Sequence, residues 1–175
     1  HTADPDVKIC MQILHMGPLA INDQLVAPSA VRSRISKFTP NELDAEGIEK
    51  QIEDHVNCAR LAQKAGYDGV EIIGSAGYLI STFLVEKTNM RTDEYGGSYE
   101  NRMRFALEVV RRCRAAVGED FIIIFRIAGM DMLEGGMSWD EVALLARELE
   151  KAGASVISTH FTWHESAVPT IATMV

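Results

Sequence analysis

Four polar side chains lie at or just beyond the carboxyl ends of apolar segments that are far apart in the sequence: Gln12, Tyr78, Arg126 and His164. Tyrosine and histidine side chains can move protons, and arginine can bind an anion. The carboxyl ends of neighbouring strands in a parallel α/β barrel share one mouth. The sequence therefore predicts that these four side chains converge on a single site.

Each of these residues also has a purely structural interpretation. Gln12 could be a hydrogen-bonded core residue, Tyr78 a packing aromatic and His164 a structural hydrogen-bonding group. Arg126 interrupts the apolar run FIIIFRIAG. Burying a guanidinium without an anion is costly, so Arg126 needs a partner, either an acidic side chain or an anionic ligand. The shared position of the four residues at successive strand ends favours a functional site.

The elements that must position these residues alternate between strands and helices. Apolar, β-branched and aromatic residues predict strands at 8–14, 69–73, 121–127 and 155–159. A capping box at 39–42, with Thr39 as N-cap, predicts a first helix that ends at Gly66. A glycine-bracketed turn that presents Tyr78 leads into a long polar loop and a second helix over 99–117. A second capping box predicts a third helix over 138–152.

This order, βαβαβαβ, has connections of the right length for parallel strands. The nearly continuous apolar strands indicate a sheet that is covered on both faces, as in a barrel or a doubly wound sheet. The first strand is not followed by a G-x-G-x-x-G motif, which weakens the doubly wound, dinucleotide-binding alternative. A complete eight-stranded barrel needs about 250 residues. Residues 1–175 are therefore predicted to form one domain, the middle four βα units of a (β/α)8 TIM barrel.

Composition narrows the classes of partner. The 175 residues, 47% hydrophobic and 24% charged, fit one soluble globular domain. The net charge of −8 argues against a nucleic-acid partner. The three cysteines are widely spaced, which predicts reduced thiols and no metal site. The longest apolar run, 121–125, is too short to span a membrane. Because the chain begins with His1, we expect it to be cut from a longer protein.

Five segments of the sequence are specific enough to indicate a protein family. The strings are QILHMG (12–17), AGYDGVEIIGSAGYLI (65–80), TNMRTDEYGGSYENRMRF (88–105), AVGEDFIIIFRI (116–127) and WHESAVPTIATMV (163–175). With these strings the sequence resembles the flavin-binding barrel of the Old Yellow Enzyme family, most closely its NADPH-dependent 2,4-dienoyl-CoA reductase branch. Ordinary ene-reductases of this family grip a small enone with a pair of His, or His and Asn, in the turn before the tyrosine. Ile73 and Ala76 stand there and cannot donate a hydrogen bond.

The resemblance implies a role for each candidate residue. Gln12 would bind the pyrimidine edge of FMN, and Arg126 would lie near flavin N1 and stabilise the reduced, anionic flavin. Tyr78 and His164 would be the catalytic proton donor and its neighbour. A loop and the residue after the histidine would contact substrate: Lys87, Thr88, Asn89, Met90 and Glu165. By contrast, Asp93, Asn101, Arg102, Arg104, His15 and His55 are expected to be structural.

The same resemblance implies a 2,4-dienoyl-CoA reductase that uses NADPH in the β-oxidation of unsaturated fatty acids. The full-length protein would also carry FAD and a 4Fe–4S cluster and would act in the cytoplasm, with a mitochondrial location left open. Alternatives are an ene-reductase for small enones, an amine oxidase like trimethylamine dehydrogenase, an unrelated barrel enzyme such as an aldolase, or a non-catalytic half-barrel that self-associates. The sequence departs from the family pattern at Pro18, Ala128 and Ala167. The last departure removes an arginine that would help to hold acyl-CoA.

Overall fold

The computed structural model describes residue 4 and residues 6–166 of the chain. Its strands are β1 (Cys10–Ile13), β2 (Val26–Ala27), β3 (Asn41–Glu42), β4 (Gly69–Gly74), β5 (Ile122–Met130) and β6 (Val156–Phe161). Its α-helices are α1 (Ala45–Lys64), α2 (Leu79–Leu84), α3 (Tyr99–Arg102), α4 (Arg104–Val117) and α5 (Trp139–Ala152). A 3-10 turn covers Gly17–Leu19. The predicted alternation of strands and helices is confirmed.

The main sheet has the order β1-β4-β5-β6, and all of its strand pairs are parallel. Alternate side chains of the central strands, such as Val70, Ile72, Ile123 and Phe125, pack with helical residues in the main core. The opposite face carries Gln12, Glu71 and Arg126, which bond to one another instead of to a helix. One helical layer, with an opposite face on which side chains of neighbouring strands bond to one another, fits a segment of a closed barrel better than a doubly wound sheet, whose helices lie on both faces.

The first helix begins later than predicted. Asp44, not Thr39, is the N-cap, and its carboxylate accepts a hydrogen bond of 2.7 Å from the backbone N–H of Gly47. The residues expected to form the first helical turn instead form strand β3, which pairs with β2, and the backbone N–H of Asn41 donates to Leu25 O. The prediction was wrong because the backbone groups of 41–43 find partners in the loop before them, and a local capping signal cannot register such partners.

The segment after Tyr78 also differs from the predicted polar loop. It continues directly into helix α2, all six of whose side chains are buried. The predicted helix over 99–117 is divided at Met103 into α3 and α4. The expectations for the other helix ends hold: Ser138 and Glu141 form the predicted capping box, and Gly66 follows α1 with φ of 90°.

Residues expected to be structural do hold the loop 85–98 in place. Arg102 is buried and donates from Nε to Leu84 O and from Nη2 to the carboxylate of Glu141. Asn101 donates to Gly96 O, so the loop is fixed by side chains that bond to its own carbonyls. Of the helices in the described part of the chain, none combines the length and apolar character needed to cross a membrane. Within residues 4 and 6–166, no group of three His, Cys, Asp or Glu side chains is placed to hold a metal ion.

Two histidines predict how stability depends on pH. His15 and His55 stack with ring centroids 6.4 Å apart, and Nδ1–H of buried His55 donates to Gln51 O. Burial lowers the pKa of both side chains, and the proximity of His55 lowers that of His15 further. The unfolded chain therefore binds these protons more readily than the folded chain does.

We expect the free energy of unfolding to be constant above about pH 6.5 and to decrease as the pH falls below the ordinary histidine pKa. Urea denaturation between about pH 7.5 and pH 5 measures this dependence. His55→Leu should make the decrease shallower, because one neutral buried imidazole is removed. An equally steep decrease in His55→Leu would show that the histidine pair does not cause it.

Candidate active site

The structure brings the four strand-end residues together. Gln12, Tyr78, Arg126 and His164 line one open hollow, with about 410 Å³ of empty space, together with Leu14, Ile73, Ser75, Ala76 and His160. We call this space the reaction hollow. Gln12 belongs to β1 and Arg126 to β5, whereas Tyr78 follows β4 and His164 follows β6. The predicted convergence of the four side chains is therefore present, but Arg126 lies in the middle of β5, which continues to Met130, and not at the end of that strand.

A tight turn after β4 places Tyr78. Ala76 and Gly77 both have left-handed backbone conformations, with φ of 66° and 93°. Ser81 of α2 accepts a hydrogen bond of 3.0 Å from Gly77 N and donates back to a carbonyl of the turn. A side chain at Gly77 would meet the indole of Trp163, because its Cβ would lie 2.7 Å from Nε1. The turn thus depends on a residue without a side chain at this position.

The same turn fixes the position of His164. Ala76 forms an isolated parallel bridge with Trp163, and His164 N donates to Ala76 O at 3.2 Å. Buried Trp163 anchors the segment against the turn. As a result, Tyr78 Oη and His164 Nε2 are 2.8 Å apart, and their rings meet edge-on at 5.0 Å. A proton can pass along this hydrogen bond in either direction, depending on which atom carries it.

Arg126 has an acidic partner that sequence reasoning did not identify. Its Nε donates to Glu71 Oε1 at 2.9 Å, and Gln12 Nε2 donates to Glu71 Oε2 at 2.7 Å. The Glu71 side chain is 14% exposed and that of Arg126 is 35% exposed. Among the described residues the Nη groups of Arg126 and the carbonyl oxygen of Gln12 have no hydrogen-bond partner. The acidic partner therefore orients the guanidinium and the amide and leaves some of their bonding groups available.

Two further residues of the reaction hollow were not predicted as site residues. Burial lowers the pKa of His160, and the proximity of Arg126 and His164 lowers it further. Ser75 Oγ is buried and has no hydrogen-bond partner within residues 4 and 6–166. Because buried hydroxyls are normally paired, the unpaired Ser75 hydroxyl marks an unsatisfied polar group in the wall of the reaction hollow.

A sequence signal could have identified Glu71 but not Ser75. Glu71 interrupts the apolar strand GVEIIG just as Arg126 interrupts β5, and two such interruptions in neighbouring strands indicate a buried ion pair. Ser75 lies in a turn rich in small residues, where a serine is common for reasons of turn geometry alone. Its lack of a partner is visible only in three dimensions.

The predicted substrate loop is divided between two environments. Lys87, Thr88 and Glu165 line a second hollow, with about 570 Å³ of empty space, beside the reaction hollow. Asn89 is buried instead, and its amide donates to Phe83 O at 2.7 Å and to Tyr95 O at 2.8 Å. The structure therefore does not place Asn89 in either hollow, and its amide bonds hold the loop closed. Met90 is 62% exposed and lines neither hollow, so the structure does not bring it to the site.

The departures from the family pattern fall in different places. Pro18 lines the second hollow, whereas Ala128 is buried in β5. Ala167 lies outside the described residues.

Comparisons with known proteins show the family of this chain. The profile of the NADH:flavin oxidoreductase / NADH oxidase family matches residues 3–174. A metal reductase of Desulforamulus reducens is 44% identical over 168 residues, and an NADH oxidase of Thermoanaerobacter brockii is 42% identical over 169 residues. The alignments cover 94% of this chain but only 25% and 26% of those proteins, so the chain spans about a quarter of their length. A solved complex of 2-naphthoyl-CoA reductase with 2-naphthoyl-CoA is 35% identical, with a TM-score of 0.83, over 90% of this chain and 26% of its own.

Proposed function

Because this chain belongs to the NADH:flavin oxidoreductase / NADH oxidase family, we propose that it forms the flavin-binding centre of an FMN-dependent reductase that acts on 2,4-dienoyl-CoA thioesters with electrons from NADPH. The observation that carries the proposal is the reaction hollow. It places the hydrogen-bonded pair of Tyr78 and His164 beside the bonded group of Gln12, Glu71 and Arg126.

The residues present fit FMN. The ring system of a flavin has a polar edge of donors and acceptors, and Gln12 and Arg126 have bonding groups that no described residue uses. Leu14, Ile73 and Ala76 provide apolar surface in the same hollow, and Ser75 has an unpaired buried hydroxyl. Under this proposal Gln12 and Arg126 hold the cofactor. When bound, FMN supplies hydride transfer.

Residues of the protein would supply the proton. Reduction of a diene adds a hydride to one carbon and a proton to another, and Tyr78 Oη is the donor that the geometry favours. His164 Nε2 lies 2.8 Å from that oxygen and can stabilise it as the proton leaves. His164 is exposed to solvent, so the tyrosine can recover a proton from water through the imidazole.

The turn supports a thioester substrate over a small enone. Ile73 and Ala76 are 5% and 4% exposed, and both line the reaction hollow without a polar side-chain atom. A small enone would find no side-chain donor at these positions for its carbonyl oxygen. A thioester can be held through its long pantetheine arm instead. The resemblance to a 2-naphthoyl-CoA reductase solved with its CoA ester also supports this substrate class.

Direct assay tests the proposal. The protein expressed from its complete reading frame is purified, and anaerobic NADPH oxidation is followed with hexa-2,4-dienoyl-CoA and with cyclohexenone. We expect a higher kcat/KM for the dienoyl thioester, with one proton and one hydride added per NADPH consumed. Turnover of cyclohexenone alone would support the ene-reductase alternative and contradict the dienoyl-CoA assignment. Under the same proposal the complete protein also carries FAD and a 4Fe–4S cluster, and metal analysis of the same preparation tests for the cluster.

Glu71 is expected to set the redox potential of the site. Replacing Glu71 with glutamine removes a negative charge beside Arg126 and keeps the shape of the side chain. The midpoint potential of the bound flavin should become more positive by roughly 30 to 60 mV, because the cation then stabilises added electrons more strongly. Spectroelectrochemical titration measures this shift. Glu46→Gln, which changes an acidic residue in the first turn of α1, is the control that should leave the potential unchanged. An unchanged potential in Glu71→Gln would contradict a flavin next to this ion pair.

A further inference from the structure

The charged side chains that line the second hollow are mainly positive, although the protein as a whole is acidic. Arg32, Arg34 and Lys87 line it together with a single carboxylate, that of Glu165. The whole sequence carries a net charge of −8, so acidic side chains are in excess elsewhere. Apolar surface from Ala27, Val31, Leu133 and Trp163 completes the walls. We call this space the cationic hollow.

The cations of this hollow are not neutralised by the protein. Among the described residues, Arg32, Arg34 and Lys87 form no ion pair within 4.0 Å, unlike Arg91, Arg102 and Arg112. The contact of Arg34 with Glu165 is made by its backbone N–H, which donates to Oε2 at 3.2 Å. Arg32 donates from Nη1 to Ser36 O at 3.5 Å, a contact that leaves most of its donors available. Three cations therefore remain available to an anion.

The cationic hollow and the reaction hollow share a wall. Ala76 and Tyr78 line the reaction hollow, whereas Gly77 between them lines the cationic hollow. In the same way, His164 lines the reaction hollow, whereas its neighbours Trp163 and Glu165 line the cationic hollow. A ligand that is held in the cationic hollow can therefore extend to the proton-donating pair.

We propose that the cationic hollow binds the pyrophosphate of a nucleotide-linked ligand, through the guanidinium groups of Arg32 and Arg34 and the ammonium group of Lys87. Guanidinium groups recognise phosphate oxygens in a fixed, paired geometry, and an ammonium adds a point charge. The apolar wall suits the uncharged arm that joins a pyrophosphate to a reactive group. Glu165, whose carboxylate accepts a hydrogen bond from the backbone N–H of Arg34, is the single acidic side chain of this lining.

This inference rests on the proposed function, because that function requires ligands of two kinds with a pyrophosphate: a CoA thioester and NADPH. The chemistry of the hollow is the same for both. Binding measurements separate the two sources.

The test is calorimetric titration of the oxidised protein, expressed from its complete reading frame, with free CoA, NADP⁺ and pantetheine. The Arg32→Gln/Arg34→Gln variant is compared with Arg60→Gln, which removes an exposed cation of α1 that lines neither hollow. We expect the double variant to bind CoA or NADP⁺ at least about tenfold more weakly, since a charge-assisted contact is worth about a decade of affinity. Pantetheine, which lacks phosphate, should bind both forms equally, and Arg60→Gln should resemble the wild type.

Each outcome has one meaning. A loss confined to CoA identifies the thioester as the ligand, and a loss confined to NADP⁺ identifies the nicotinamide nucleotide. Unchanged affinities in the double variant, an equal loss in Arg60→Gln, or no binding of either ligand by the wild type would overturn the inference. Because the titration involves no turnover, it is independent of the proposed reaction. CoA binding that needs the two arginines in a protein that reduces no dienoyl thioester would contradict the proposed function and leave this inference standing.

Discussion

Replacing Tyr78 with phenylalanine is expected to lower kcat for the proposed reduction of a dienoyl thioester by about 10²- to 10⁴-fold, the range that a lost general acid typically costs. Phenylalanine keeps the ring that packs edge-on against His164 and removes only the hydroxyl, whose oxygen lies 2.8 Å from Nε2. Reduction of the bound flavin by NADPH should remain fast, because that half-reaction needs no proton from the tyrosine.

Stopped-flow absorbance separates the two half-reactions of the Tyr78 variant. The matched control is Tyr67→Phe, since Tyr67 is partly exposed between α1 and β4 and lines neither hollow. It should match the wild type in both half-reactions. Unchanged turnover in Tyr78→Phe would reject this tyrosine as the proton donor, and an equal slowing of flavin reduction would show that the hydroxyl acts in binding and not in proton transfer.

Gly77→Ala is expected to damage both stability and activity. An alanine at φ of 93° is strained by about 1 to 2 kcal/mol, and its Cβ would lie 2.7 Å from the Trp163 indole, which adds about 1 to 3 kcal/mol of overpacking. The indole must then move, and with it the segment that holds His164 against the turn. We expect the free energy of unfolding to fall by about 3 kcal/mol and kcat to fall about 100-fold, because a misplacement of about 1 Å at a reacting group can have that effect.

The chain provides a control that isolates the backbone strain. Gly97 also has a left-handed conformation, with φ of 79°, but a Cβ there would have no neighbour within 4 Å. Gly97→Ala should therefore lose only about 1 to 2 kcal/mol and should keep its activity. Urea denaturation and steady-state kinetics measure both variants. Equal losses in the two variants would mean that contact with Trp163 does not govern the turn.

The sequence predicted the parts of the fold that local chemistry decides. The apolar strands and the Ser138 capping box were readable because each depends on residues close together in the chain. The start of α1 was not readable, because the backbone of Asn41 pairs with Leu25, 16 residues earlier, and this pairing overrides the local signal at Thr39. Helix α2 was overlooked because it is only six residues long and buried on every side, so it shows no amphipathic pattern.

For the candidate site, the location could be predicted from the sequence, whereas the hydrogen-bond partners could not. The positions of Gln12, Tyr78, Arg126 and His164 relative to the predicted strands were enough to predict that they lie together, because a parallel barrel brings such positions to one mouth. The partners of these side chains could not be derived in that way. The register of β1 against β4 sets Gln12 opposite Glu71, and one residue of slippage would have placed a different side chain there. For the same reason the burial of Asn89 and the free hydroxyl of Ser75 required coordinates.

The most direct test of the central claim, that the reaction hollow holds FMN through Gln12 and Arg126, is the FMN dissociation constant of the apoprotein, measured by quenching of flavin fluorescence. The comparison uses the Glu71→Gln/Arg126→Gln variant, which removes both charges of the ion pair together and leaves no unpaired buried carboxylate. We predict that the wild type binds FMN stoichiometrically and that the variant, with an unchanged far-ultraviolet circular dichroism spectrum, binds it at least about tenfold more weakly. A wild-type protein that does not bind FMN, or a variant that binds it as tightly as the wild type does, would contradict the claim.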